Sequence, residues 1–492
     1  MAINHSNTNK RSEPLAYRVN AYISSHFEIV VIAGTLGFAL VLGLGASEFN
    51  PIYAILASLV PAALIGFDFF TRNLQLSPII LLVTASVIPF YVSTGTASVV
   101  VDSLLLVVMI SGLWLLRSIV LERRIVVQKK PYNLPLIAYM VIVVISLIWG
   151  TLFRDPTVIT WSSFFKVQIA ATTVMLMLPV TFLISANLIH DESILRNMSL
   201  MMVIIGVLGY LFETRFNYGI IYDFFRITGI TVSNQGLFTM WVVIICMAYV
   251  LFDRTQKIVP KIAMLVVAAV WVNYRFLWNI SWMTGWLPPI TALIALIWMR
   301  SKKLFVVFLV LIVILALVNI SFLQQALANE QTESGLTRLD AWKTNLSLTK
   351  DHFLFGTGPG GYAAYYMSYF PDQAMATHNN YLDILAQTGI FGFIFFVSFF
   401  AIVLLEGYKL CKQLKGKGDF LEAMANAAFA GSVGCVLAMG LGDWMVPFPY
   451  TQGIGAFDYI LYSWLFMGTI FAIKKIVNNK LAKANTLSKH SK

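Results

Sequence analysis

An otherwise apolar stretch, "THNNYLDILAQTGIFG" at 377–392, opens on an ionisable side chain. His378, with Asn379 and Asn380 beside it, stands at the head of a hydrophobic run that continues "FIFFVSFFAIVLL". An imidazole there can move a proton near neutral pH or hydrogen-bond an oxygen. The same residues also spell a helix start. Thr377, Asn379 or Asn380 can cap the first turn and leave His378 a bystander.

Upstream, "FGTGPGG" at 355–361 holds Gly356, Gly358, Gly360 and Gly361. Backbone N–H groups in such a loop can cradle an anion, although a tight turn after a helix is the simpler reading. No Lys-Ser/Thr follows, so this is not a P-loop. Arginines supply the other chemistry: Arg226 in "DFFRITGITVSNQGLF" (223–238), Arg275 in "VNYRF" (272–276), Arg338 before Trp342, and Arg215. A guanidinium binds phosphate or carboxylate through two hydrogen bonds. Each could instead anchor at a membrane boundary with its charged tip in water. Asp102 falls inside an apolar run, where charge is costly and therefore points to function.

The elements that must position these residues are membrane helices. Of 492 residues, 59% are hydrophobic and 12% charged, a composition outside the soluble globular range. Apolar runs of roughly 18–25 residues match the thickness of a bilayer and lack the alternation of barrel strands. The fold class expected is all-α polytopic, with about 12–14 spans between roughly 27 and 473. The first run, at 27–46, lacks a cleavage site and should remain as an anchor. Three cysteines, Cys246, Cys411 and Cys435, give neither a disulfide framework nor metal-ligand spacing.

A net charge of +11 suggests a nucleic-acid partner, but the placement of the charges argues against one. Positive residues collect in alternate connections, including Arg117–Lys130, Arg254–Lys261, Arg300–Lys303 and Lys409–Lys417, and in both terminal segments. The positive-inside rule makes these cytoplasmic. The expected layout is a cytoplasmic segment over 1–26, membrane domains over 27–322 and 381–473, an extracytoplasmic cap over 323–380 and a cytoplasmic tail over 474–492. Within the cap, Leu339, Trp342, Leu346 and Thr349 recur at helical spacing and predict a helix that breaks at the glycines.

Together, "R…W………FGTGPGGY……HNNYLDILAQTGIFG" over about 336–400 resembles the signature of the O-antigen ligase-like membrane proteins. That superfamily includes lipid A-core:O-antigen ligases, O-antigen and exopolysaccharide polymerases, and protein O-oligosaccharyltransferases. The resemblance implies a fold similar to the GT-C glycosyltransferases, in a bacterial inner membrane, acting at its outer face. It implies transfer of a glycan from undecaprenyl diphosphate to an acceptor hydroxyl, without a metal or other cofactor. His378 matches the catalytic histidine of that family, and Arg226 and Arg338 match arginines that hold the diphosphate.

Two departures stand out. A Ser-Arg motif between two spans is absent, leaving Arg275 to take that role. Gln387 stands where a glutamate is frequent. Asn379, Gly358, Gly360, Arg215 and Trp342 are expected in supporting positions. The partners implied are the lipid-linked donor, a lipid A-core or glycan acceptor, and the bilayer. A polysaccharide precursor transporter or a non-catalytic scaffold of an assembly complex are the rival classes.

Overall fold

The computed structural model describes residues 73–87, 91–93, 99–120, 130–228, 231–232, 235–275, 283–321, 324, 336–372, 375 and 377–490. The spans expected at 27–46 and 51–68 lie outside these residues. Leu74–Lys492 forms one compact unit.

Among the described residues, fifteen α-helices and one two-stranded ribbon build this unit. Helix α1 (Ser77–Val87) leads into an antiparallel pair, β1 (Tyr91–Ser93) and β2 (Val99–Val101), with Val92 opposite Val100. Then follow α2 (Asp102–Val120), α3 (Asn133–Leu152), α4 (Phe164–Leu188), α5 (Glu192–Thr214) and the short α6 (Gly219–Thr228). Next come α7 (Phe238–Phe252), α8 (Ile258–Asn273), α9 (Met283–Arg300) and α10 (Lys302–Val318). The late elements are α11 (Leu336–Asp351), α12 (Tyr362–Tyr369), α13 (Asn380–Leu414), α14 (Phe420–Ala438) and α15 (Phe457–His490).

Seven helical segments, in α2 to α5 and α13 to α15, are long and apolar enough to cross a membrane. Shorter apolar helices coincide with α1, α7, α8 and α9. The protein is thus an all-α polytopic membrane protein, as its composition predicts.

The start of the span expected at 97–116 differs. Its first residues pair as strand β2, and Asp102 becomes the first residue of α2. The Asp102 carboxylate accepts the Ser103 N–H at 3.0 Å. The charge therefore answers the unpaired donors of a helix N-terminus instead of standing at mid-span.

Helices α14 and α15 form the centre. Their span windows are 83% and 89% buried, against 28% for α2. Helix α14, "FLEAMANAAFAGSVGCVLA", reaches that burial through small residues. A Cβ on Gly431 would stand 2.3 Å from the Trp241 ring of α7, so the missing side chain is what admits the indole. Trp241 in turn stacks on Phe466 at 5.0 Å and donates its Nε1–H to Ser463 Oγ at 2.9 Å, both on α15. At the rim, α10 buries no side chain.

Helices α11 and α12 form a layer beside the α14–α15 connection, at the end of the bundle where Ser103 at the start of α2 bonds Asp458 at the start of α15. Their core joins Leu348, Tyr362, Tyr365 and Tyr366 to Val158 and Phe164 at the α3–α4 connection and to Phe448 between α14 and α15. Tyr362 stacks flat on Phe448, with ring centroids 4.3 Å apart. The helix predicted from Leu339, Trp342, Leu346 and Thr349 is present as α11, but its buried face is offset. Ala341, Asn345, Leu348 and Thr349 are buried, whereas Leu339 and Leu346 point outward. Ala341 is small enough for the Tyr366 hydroxyl to reach its carbonyl at 2.8 Å.

Candidate active site

The site is organised around the three residues that precede α13. Asn379 is the cap: its side-chain oxygen accepts the N–H groups of Tyr381 at 3.0 Å and Leu382 at 3.4 Å. Asn380, fully buried, ties the helix start to the α14–α15 connection. Its backbone N–H donates to Met439 O at 2.8 Å and its amide to Val446 O at 2.6 Å, while Met445 N–H returns to its Oδ1 at 2.9 Å. On the other side, the Thr377 carbonyl accepts the Trp342 indole N–H at 2.7 Å. The Thr377 hydroxyl donates to Asp383 Oδ1 at 2.5 Å.

Between these two clamps sits His378, with φ of 47°, the one positive-φ non-glycine among the described residues. Left-handed backbone costs a Cβ-bearing residue about 1–2 kcal/mol. Such strain persists only where neighbours over-determine the conformation, and it concentrates at functional sites. Here the neighbouring bonds hold the imidazole at a fixed place on the surface of the cap.

The His378 side chain is 37% exposed, and its Nδ1 lies 3.9 Å from Oδ2 of Asp443, which is 1% exposed. Thr451 Oγ1 donates to that same Oδ2 at 3.2 Å. Behind it, Asp383 Oδ1 accepts the Tyr362 hydroxyl at 2.8 Å as well as Thr377. Burial, first, and then the adjacent Asp383 carboxyl push Asp443 well above the ordinary carboxylate range, with Thr451 and Arg338 pulling the other way. Burial likewise raises the Tyr362 phenol, so that it stays a neutral donor.

Of the arginines, Arg338 stands on α11 within electrostatic reach of Asp443. Arg275 follows α8 and donates its Nε–H to Thr239 Oγ1 of α7 at 3.1 Å. It also lies near Trp271 and Tyr274 and within electrostatic reach of Tyr462 on α15. One turn earlier on α15, Tyr459 is within reach of Asp443. Arg275 and Asp443 thus face neighbouring tyrosines of one helix.

The remaining two arginines lie on the α5–α6 segment, whose Glu213 is also within electrostatic reach of Arg275. Arg226 is on α6, paired with Asp223 at 2.8 Å, with both side chains more than half exposed. Arg215 lies over the rings of Phe212 and Phe216 and donates to the Phe212 carbonyl. The structure brings together His378, Asn379, Trp342 and Arg338, and sets Arg226 and Arg215 on the α5–α6 segment.

The glycine loop is a packed turn, the simpler of the two readings of this stretch. Gly356, Gly358 and Gly360 have φ of 70°, 84° and 66°. Their N–H groups are taken by protein oxygens: Gly356 by His352 O, Gly358 by Gln387 O, and Gly360 by Gln387 Oε1 at 2.7 Å. The Gln387 backbone carbonyl, and that of Ala386, which accepts the Thr357 N–H at 2.9 Å, are open to the loop because α13 breaks at Gly389, where φ is 65° and ψ −170°. The break frees the carbonyls of Ala386 and Gln387 from their intrahelical partners, and the loop fills them. Gln387 serves here as an uncharged acceptor, a role that needs no glutamate. His352, the other cap histidine, packs edge-on against Tyr365 at 4.8 Å, and burial lowers its pKa.

Sequence reasoning missed Asp383 and Asp443. Asp383 reads as a first-turn acid suited to a helix dipole. Asp443 sits in "GLGDWMVPF", 60 residues further on, with no periodic or motif signal to join it to His378.

Residues 224–397 match the family model described as O-antigen ligase. The matched stretch contains Arg226, Arg275, Arg338, His378 and Asp383 and ends before Asp443. No curated protein matches the chain.

Proposed function

Starting from an O-antigen ligase-like domain at residues 224–397 of a multi-pass membrane protein, we propose that this chain transfers a glycan from undecaprenyl diphosphate to an acceptor hydroxyl. In this reading the acceptor is a lipid A-core sugar, and the reaction takes place at the outer face of the bacterial inner membrane. Both termini are cytoplasmic, in keeping with the lysine-rich alternate connections. The observation that carries the reading is His378: strained, half-exposed, clamped on both sides and backed by a buried carboxyl.

The division of labour follows from chemistry. The acceptor hydroxyl attacks the anomeric carbon, and His378 takes its proton as general base, typically worth about 10²–10⁴-fold in rate. The leaving diphosphate gains negative charge as the glycosidic bond breaks. Arg338 and Arg275, on the Asp443 side of the molecule, neutralise that charge, and Arg226 engages the donor's diphosphate from the membrane boundary. Guanidinium groups supply the positive charge that a divalent ion provides in other glycosyl transfers. The donor's phosphate ester carries the driving force.

The test is reconstitution of the full chain in liposomes with an undecaprenyl-diphosphate-linked repeat unit, with and without lipid A-core, beside His378→Ala. A single product shift that requires lipid A-core supports ligation. A ladder from donor alone would make the protein a polymerase with a second lipid-linked unit as acceptor. Product formation that survives in His378→Ala would remove the catalytic role of the histidine.

A further inference from the structure

The carboxyls of Asp383 and Asp443 lie within electrostatic reach of each other on either side of the His378 corner, Asp383 Oδ1 2.5 Å from Thr377 Oγ1 and Asp443 Oδ2 3.9 Å from His378 Nδ1. Both residues are buried, at 2% and 1% exposure. Asp383 Oδ1 is occupied by Tyr362 and Thr377, and Asp443 Oδ2 by Thr451. Asp383 Oδ2 and Asp443 Oδ1 are buried and take no donor from any other residue. An ionised carboxylate only accepts hydrogen bonds. A bond between two of them would need a proton, and two bare charges within such reach in a dry site do not coexist.

We propose that Asp383 and Asp443 share one proton and act as a single buried monoanion behind His378, with Asp443 the positioning residue that holds Nδ1 inward and presents Nε2 to the acceptor. This rests on the transfer reading given above. In the reaction the acceptor O–H bond breaks, and its electron pair forms the new bond to the anomeric carbon. The bond from that carbon to the phosphate oxygen breaks, and its pair leaves on the diphosphate. The acceptor's proton goes to His378 Nε2, and the resulting imidazolium is held against the monoanion through Nδ1–H.

A single negative charge suits this task. A dianion would attract a proton to His378 before substrate arrives and occupy the base. A neutral pair would leave the imidazolium without a counter-charge. One shared proton sets the charge between these extremes. The other groups facing the pair are Arg338 on α11, Tyr362 and Tyr366 on α12 and Tyr459 on α15. Tyr362, Tyr366 and Tyr459 are neutral donors or bystanders, so Arg338 is the one permanent charge in the set.

The experiment compares Asp443→Asn, Asp383→Asn and His378→Ala, each as the full chain in liposomes, with kcat, donor KM and the pH profile of kcat. Asp443→Asn should lower kcat by about 10²-fold or more with donor KM nearly unchanged, and shift the acid limb to lower pH, because His378 loses its anionic partner. Asp383→Asn puts an amide donor against a fully charged Asp443. It should lower kcat by about tenfold and shift the acid limb to higher pH, because His378 now holds its proton more tightly. In a His378→Ala background, Asp443→Asn should add no further loss.

Shifts of the two limbs in the same direction, or additive losses with His378→Ala, would overturn the inference. If Asp443→Asn does not fold, the upward shift in Asp383→Asn decides alone. Infrared spectroscopy of the protein without substrate separates this inference from the transfer reading. A protonated-carboxyl band at neutral pH that vanishes in Asp383→Asn supports the shared proton even if no transfer is seen, and its absence from the wild type refutes it.

Discussion

The His378 corner and the α6 segment are opposites in construction. Around His378, backbone and side-chain bonds from α11, α13 and the α14–α15 connection converge on Thr377 and Asn380, the two residues that bracket it and Asn379. On α6, one residue, Phe225, is buried, while Ile220 and Ile227 are 89% and 77% exposed and Arg226 pairs, among the described residues, with Asp223. A ten-residue helix with apolar and charged faces belongs in the plane of a membrane–water boundary. The contrast separates two tasks. Proton transfer needs a base held in one place, and strain is tolerated to keep it there. In the proposed transfer, meeting a lipid-borne diphosphate needs a cation at head-group depth, and the exposed α6 offers Arg226 for that role.

His378→Gly should break the comparison most sharply. Turnover should fall about 10²–10⁴-fold, while Tm holds or rises because glycine relieves a left-handed backbone worth about 1–2 kcal/mol. A lowered Tm would show that the φ of 47° is not strained. Gly389→Ala should come next. Its Cβ would meet the Leu354 carbonyl oxygen at 2.3 Å with φ at 65°, a cost on the order of 3 kcal/mol. Size-exclusion profiles and melting curves should show a marked loss of folded protein.

Trp342→Phe keeps the ring and removes one hydrogen bond to Thr377. That is about 1 kcal/mol, or roughly fivefold in kcat if the clamp positions His378; an unchanged kcat would take Trp342 out of the clamp. Arg226→Ala should raise donor KM about threefold or more at constant kcat, with weaker salt dependence than the wild type. The smallest effect belongs to Asp223→Asn, which frees Arg226 from an exposed pair worth under about 1 kcal/mol. Donor KM should fall by up to about twofold, and a rise would mean that Asp223 positions Arg226 for the donor.

Much of this arrangement could be read from residues in a row. The apolar runs at 134–152 and 164–187 correspond to α3 and α4 within a residue or so, because hydrocarbon thickness and backbone pairing leave few alternatives. The cap before α13 was narrowed to three residues, and Asn379 is the one whose side chain turns back to the helix. Helix α11 was legible from its spacing, but which side it buries was not, because a membrane-proximal layer can turn leucines such as Leu339 and Leu346 outward and bury Asn345. The glycine loop was legible as a turn, but its acceptors come from the break at Gly389, nearly thirty residues away. Asp443 was invisible for a related reason: its meaning lies in which side chains it meets across space, and no spacing rule reaches that far.

Helix α15 is the most buried span of the bundle, and it follows the other fourteen in the chain. Trp241 looks to it for Ser463, the buried Glu406 carboxylate of α13 looks to it for Lys474, and Phe399 stacks on its Trp464. During synthesis these groups must wait in the bilayer or the insertion machinery until residues beyond 457 emerge. Assembly is therefore closed from the inside by its final piece. A chain interrupted before that point has α14 but not its partner at the centre, and its unmet tryptophan, beside a carboxylate left with Lys409 alone, marks it for the cell's membrane quality control.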